Sequence, residues 1–153
     1  MGCGAVIKIA DGEDISKIIS LDNMFFGMNS LYSIGGKDFS NVYSMGDTFH
    51  NCHTLNDVEG IAGKDKSFKN CLNVSWGFAG AGSSYAKTKD DGISWVYRFP
   101  VCTDISFIFL NCSYGIKEFK EEQGKELFPS VIYGKSAFEN TNISSFTCSL
   151  KSL

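Results

Sequence analysis

Short apolar triplets recur along the chain at intervals of about 24 residues. Each triplet begins with a small or sulfur-containing residue, which we call its anchor, and has aliphatic residues three and six positions later. The anchors are Cys3, Met28 and Cys52. These stretches are too short for helices, and their aliphatic residues suit β-structure. We therefore predict a short strand at each aliphatic pair, Val6/Ile9, Leu31/Ile34 and Leu55/Val58. For residues 22–26 and 46–49, the pattern allows a short helix or a 3₁₀ turn.

A phenylalanine precedes each of a series of anchors by three residues, at Phe25, Phe49, Phe68, Phe109 and Phe138. Three of these begin the sequence Phe-x-Asn-Cys, and the one at 138 differs only in its last residue. Units of 20–29 residues cannot bury an apolar face alone, so such units stack. The pattern predicts a repeat solenoid with the phenylalanines in one column and the anchors in a second. The asparagines suit tight corners because they tolerate positive φ.

Two segments resemble a known repeat. Residues 41–55 read Asn-Val-Tyr-Ser-Met-Gly-Asp-Thr-Phe-His-Asn-Cys-His-Thr-Leu, and residues 131–140 read Val-Ile-Tyr-Gly-Lys-Ser-Ala-Phe-Glu-Asn. Both are similar to repeats of the BspA-like leucine-rich repeat family, closely over about 1–75 and loosely over 104–150. The resemblance implies a leucine-rich-repeat-like right-handed coil with short parallel β-strands and short helical or irregular return segments. It also implies a cell-surface or extracellular setting, a role in adhesion or protein binding, and no catalytic residues.

The spacing predicts a single domain over residues 1–153. Regular repeats cover about 1–75, and degenerate repeats cover about 105–153. Between them, no anchor is evident from Cys71 to Cys112, and the stretch from Gly77 to Ser84 is rich in glycine. We therefore expect an irregular, flexible insertion over about 76–104.

Composition excludes several classes of function. The chain has 153 residues and a formal net charge of −3, which gives no electrostatic reason to bind nucleic acid or an anionic membrane. No apolar segment approaches the roughly 20 residues of a membrane-spanning helix, so we expect no membrane insertion. We also expect no signal peptide in this chain. The six cysteines include no Cys-x-x-Cys pair, which argues against a zinc ribbon, while buried free thiols and disulfides both remain open.

Candidate chemistry is sparse. The sequence His50-Asn51-Cys52-His53 holds the densest set of metal-ligand side chains, and Cys71 and Cys112 could join it from neighbouring units. Cys52, however, occupies a repeat anchor, and a cysteine nucleophile needs an exposed, electropositive setting that the sequence does not supply. We predict no catalytic residues, no metal site, no cofactor and no enzymatic activity.

Binding is the function that the sequence favours. We predict a non-enzymatic protein-binding or adhesion module that presents an extended sheet face to an unidentified protein partner. The alternative is a structural subunit of a larger assembly, such as a virion, tail or filament component, contacting neighbouring copies or the rest of a longer chain. A third reading, a carbohydrate-binding or lytic protein, rests only on the aromatic residues of the insertion and on acidic residues such as Glu118 and Glu121. The tryptophans are open to two interpretations, core packing or contact. The candidate binding residues are Tyr32, Asn56, Asp57, Trp76, Trp95 and Tyr97.

Overall fold

A computed structural model describes residues 15–34, 37–88 and 90–147. It contains three strands in the order β1-β2-β3: β1 (Ile93–Trp95), β2 (Ile116–Lys120) and β3 (Ser145–Thr147). Both pairings are parallel, so the chain returns to the same end of the sheet before each new strand. The described ranges contain no helix, and hence none of the length and hydrophobicity needed to span a membrane.

Five successive segments of the chain lie on one another through backbone hydrogen bonds. We call them layers 1 to 5 and mark them by Phe25, Phe49, Phe78, Phe109 and Phe138. The backbone amide of each of the first four phenylalanines donates a hydrogen bond to a backbone carbonyl in the next layer. The acceptor is always the residue that precedes the next marker phenylalanine, and the four distances are 3.1, 2.7, 2.9 and 3.0 Å. The markers are 24, 29, 31 and 29 residues apart. Each layer thus satisfies backbone groups of its neighbour, as parallel strands do.

The marker phenylalanines form a continuous aromatic column. Their ring centroids are 5.3, 5.0, 5.9 and 6.0 Å apart from one layer to the next. A second column contains Phe68, Phe99 and Phe128, with centroids 4.9 and 6.0 Å apart. The prediction that Phe68 stacks with Phe25 and Phe49 is therefore wrong. Each layer of about 29 residues turns at two corners, and a buried phenylalanine lies at each corner. In layer 2 these phenylalanines are Phe49 and Phe68, so they belong to different columns.

Residues 76–104 differ from the insertion that we expected. Phe78 continues the first column, and the amide of Gly80 donates to the Leu110 carbonyl at 2.7 Å. Ala81 is buried at the anchor position, which explains the missing cysteine. A Cβ atom on Gly115 would collide with the Ala81 carbonyl oxygen, so small residues here allow close contact between layers. The glycine-rich stretch is packed because its backbone is buried between neighbours.

The backbone at the marker phenylalanines decides between the two conformations that the sequence left open, a short helix and a 3₁₀ turn. The residues two positions before and two positions after each marker phenylalanine all have positive φ, which ends a right-handed helix after a single turn. What remains are isolated turns, such as the bond from the Met24 amide to the Leu21 carbonyl at 2.9 Å. The residues two positions before the markers are Asn23, Asp47, Trp76, Phe107 and Ser136. Those two positions after the markers are Gly27, Asn51, Gly80, Asn111 and Asn140.

The predicted strands are also shorter than expected. The segments containing Leu31/Ile34 and Leu55/Val58 share one parallel bridge, between Ser33 and Asp57, and neither extends into a strand. The predicted strand at Val6/Ile9 lies outside the described residues. The longest strand, β2, lies instead in layer 4, where Ile116 and Phe119 face the core.

Candidate functional site

The histidines near Cys52 do not form a metal site. His50 Nδ1 lies 2.7 Å from Asp47 Oδ1, whereas His53 Nδ1 lies 2.9 Å from Ser83 Oγ and 3.1 Å from the Gly80 carbonyl oxygen. Because Ser83 donates its own proton to the same carbonyl, it is not activated as a nucleophile. Within the described ranges, no group of three or more His, Cys, Asp or Glu residues is placed to hold a metal ion.

The four described cysteines are buried free thiols, which resolves the choice between thiols and disulfides for these positions. Cys52 donates to the Phe25 carbonyl and Cys112 to the Phe78 carbonyl, each at 3.0 Å, so these thiols bind neighbouring layers together. Burial raises the pKa of each thiol well above its ordinary value and suppresses the reactive thiolate. These pKa values are about 11, 12, 11 and 12 for Cys52, Cys71, Cys102 and Cys112.

Three predicted binding residues come together on layers 1 and 2. The Asn56 side-chain amide donates to the Tyr32 hydroxyl at 3.1 Å, and Asp57 accepts a hydrogen bond from Ser33 at 2.7 Å. The Tyr32 ring also meets the edge of Tyr85, with centroids 5.3 Å apart. The three side chains are half-buried and held by these contacts, so they form an ordered polar patch.

Trp76 lies in a different part of the surface. Its indole ring is sandwiched between His50 and Phe107, with centroid distances of 5.1 and 4.5 Å. Phe26 and Lys135 extend this stack at its two ends. Because neighbouring layers already cover both faces of the ring, Trp76 presents only its edge to a partner.

Trp95 and Tyr97 belong to the core. Trp95 is fully buried, and its indole N–H donates to the Tyr97 carbonyl at 2.9 Å. The Tyr97 hydroxyl donates to the Val58 carbonyl at 2.7 Å, and burial raises its pKa to about 12. Tyr97 therefore joins layer 3 to layer 2, and Trp95 packs against Phe78 and Phe109 of layers 3 and 4. The expectation that Trp95 and Tyr97 contact a partner is wrong, because both side chains are buried.

A row of exposed apolar side chains crosses the layers and was not predicted. Ile19, Tyr43, Leu72 and Ile132 are 64, 52, 61 and 60% exposed. Backbone hydrogen bonds join these positions from layer to layer. The Tyr43 amide donates to the Ile19 carbonyl at 2.8 Å, and the Leu72 amide donates to the Tyr43 carbonyl at 2.9 Å. The Ile132 amide donates to the Thr103 carbonyl at 2.8 Å. We call these four residues, which come from layers 1, 2, 3 and 5, the apolar row; the equivalent position of layer 4 is the exposed Thr103.

Hydrogen-bonded polar residues border the apolar row on one side. Ser44 donates to Asp22 at 2.6 Å, and the Asn73 side-chain amide donates to Ser44 at 3.2 Å. At the far end, Tyr133 follows Ile132 and is equally exposed. Apolar side chains beside a polar border are typical of protein interfaces, and aligned exposed apolar residues indicate an interaction site.

The apolar row has a signal in the sequence that depends on the register of the layers. Each of its members lies six residues before a marker phenylalanine. With Phe68 counted in place of Phe78 as the third marker, the same rule selects Ala62, which is buried, and misses Leu72. The error in register therefore concealed the row.

Comparisons of this chain with protein families, curated proteins and solved structures found no match.

Proposed function

We propose that this chain is a leucine-rich-repeat-like solenoid that acts as a non-enzymatic protein-binding or adhesion module. In this proposal, the apolar row is the contact surface, and the patch of Tyr32, Asn56 and Asp57 is a secondary contact. The motif resemblance supports a cell-surface or extracellular setting. The stacked aromatic columns support a rigid scaffold, because a preorganised surface loses little entropy on binding.

The observation that carries the proposal is the alignment of exposed apolar side chains at one position in four of the five layers. With about 4.8 Å between hydrogen-bonded segments, five layers give a row roughly 19 Å long. Burying each exposed Leu or Ile contributes about 1.5–3 kcal/mol before the costs of association. Leu72 lies near the middle of this row, where a residue dominates binding most often.

The test introduces a charge into the row. We would measure binding of the purified chain to an immobilised panel of extracellular-matrix and cell-surface proteins, and compare Leu72→Lys with Met24→Lys. Met24 is also apolar and 47% exposed, but it lies outside the row. We expect Leu72→Lys to weaken binding at least tenfold while Met24→Lys binds as the native chain does. A folded native chain that binds no protein, or equal losses in both variants, would contradict the proposal.

The alternative, a structural subunit of a larger assembly, is favoured by the edge of the sheet. β3 pairs with β2 along one edge, and the described residues place no strand against its other edge. An open strand edge is a template for another chain. Size-exclusion chromatography with light scattering separates the alternatives, because assembly requires a concentration-dependent series of oligomers and a binding module remains a single species.

A further inference from the structure

A small cationic cavity lies between layers 2, 3 and 4, and the proposed protein-binding function does not use it. Its volume is about 110 Å³, roughly the space of four water molecules. Arg98 is the only arginine in the chain. The charged side chains that line the cavity are Lys64, Lys66, Arg98 and Lys125, with Asp65 and Glu122. Four cations against two carboxylates give this site a positive charge, although the chain as a whole carries −3.

Backbone hydrogen bonds fix two of the four cationic residues, Lys66 and Arg98, relative to each other. The Arg98 amide donates to the Lys66 carbonyl at 2.8 Å, and the Phe68 amide donates to the Arg98 carbonyl at 2.9 Å, so the backbones of Lys66 and Arg98 are fixed together. One guanidinium N–H donates to the backbone carbonyl of Asp65 at 3.0 Å. Within the described residues, no ion pair joins Arg98 or Lys64 to a carboxylate. The guanidinium therefore retains donors for a ligand.

Glu122 already behaves as an anion held in this cavity. One of its oxygens lies 2.7 Å from Lys125 Nζ, and the other lies 3.7 Å from Lys66 Nζ. The hydrogen bond from Lys125 and then the charges of Lys125 and Lys66 lower the pKa of the Glu122 carboxyl. The site thus stabilises negative charge, and Glu122 pairs with two of the four cations while supplying a single negative charge.

We propose that this cavity binds an oxyanion, a phosphate or sulfate group carried by a small ligand. Arg98 and Lys64 supply the unpaired positive charges, and the planar guanidinium offers the paired donors that such groups accept. Lys66 and Lys125 contribute when the ligand competes with Glu122. The small volume suits a single oxyanion group, and the site is independent of the apolar row.

The test follows backbone amide chemical shifts during titration with sodium sulfate, and separately with sodium phosphate, against sodium chloride at equal ionic strength. We expect saturable shifts near Lys64, Lys66, Arg98 and Lys125, with half-saturation in the millimolar range. Either oxyanion supports the site, and the comparison shows which one it prefers. Arg98→Gln should weaken binding at least tenfold, and Lys135→Gln, which removes a cation outside this cavity, should leave it unchanged.

Glu122→Gln gives the sharpest outcome because it should strengthen binding severalfold by removing the internal competitor. A destabilised variant would not gain affinity, so this result cannot arise from unfolding, and thermal melting checks the fold of Arg98→Gln. Each of three outcomes would overturn the proposal. The first is that chloride reproduces the shifts, and the second is that Arg98→Gln and Lys135→Gln have equal effects. The third outcome is that Glu122→Gln binds the oxyanion no more tightly than the native chain does.

Discussion

Truncating Phe49 tests the aromatic column. Its side chain is fully buried, and its ring lies between Phe25 and Phe78 with centroid distances of 5.3 and 5.0 Å. A buried Phe→Ala change costs about 3–5 kcal/mol, and each aromatic pair contributes about 0.5–1.5 kcal/mol beyond burial. With two stacked neighbours, we expect Phe49→Ala to lower the free energy of unfolding by about 4 kcal/mol. Domains of this size are stable by only about 5–15 kcal/mol, so the loss is large.

Two further variants separate stacking from burial. Phe49→Leu keeps most of the apolar volume and loses the stacked rings, so we expect a cost of about 1–2 kcal/mol. Tyr43→Ala changes an exposed ring of the apolar row and should cost under about 1 kcal/mol.

The assay is urea unfolding followed by tryptophan fluorescence and circular dichroism. Stacked repeats can unfold in parts, so the two signals must change together before the free energies are compared. A Phe49→Ala cost within 1 kcal/mol of the Tyr43→Ala cost would refute the assignment of these residues to inner and outer positions.

Two other predictions concern backbone strain and thiol burial. Ser136 has a φ of 52°, which glycine adopts easily and a β-branched residue does not. In urea unfolding, Ser136→Gly should leave the free energy of unfolding equal or higher, and Ser136→Val should lower it by about 1 kcal/mol or more. The reverse order would contradict the corner geometry. Burial raises the pKa of Cys112 from 9.0 to about 12, so its contribution to stability is complete below pH 9 and is lost as the pH rises towards 12. Unfolding midpoints between pH 8 and 10.5 should fall, and less steeply in Cys112→Ala; equal slopes would contradict this. Cys52, with a pKa of about 11, should react with iodoacetamide at pH 8 far more slowly in the folded chain than in urea, and equal rates would show that it is accessible.

The recurring phenylalanines predict stacked units, and the asparagines beside them predict positive φ where the chain turns. Asn51, Asn111 and Asn140 have the positive φ that the motif suggested. Asn70 has the same neighbours in sequence, yet it is not among the residues with positive φ. Its Phe-x-Asn-Cys motif lies at the other corner of the layer, so an identical motif adopts a different conformation. Motif identity therefore does not establish the register of the layers.

The contact surface was less predictable than the stacking, because exposure depends on residues far apart in the chain. Tyr32 and Asn56 were correctly grouped, since their segments match in spacing and form a direct hydrogen bond. Trp95 was expected in a mobile insertion, but rings from layers 3 and 4 surround it. Nothing in the sequence around Leu72 distinguishes it from a core residue.

The spacing of apolar residues by itself predicts that this chain buries its hydrophobic groups by stacking short units, because a unit of fewer than about 30 residues has too little surface to form its own core. Composition adds a formal net charge of −3. Packing between layers decides the rest: which corner each phenylalanine occupies, which thiols are inert, and which apolar side chains stay in water. These outcomes depend on contacts between residues 24 to 31 positions apart, and hydrophobic burial responds to such neighbours whatever their order along the chain.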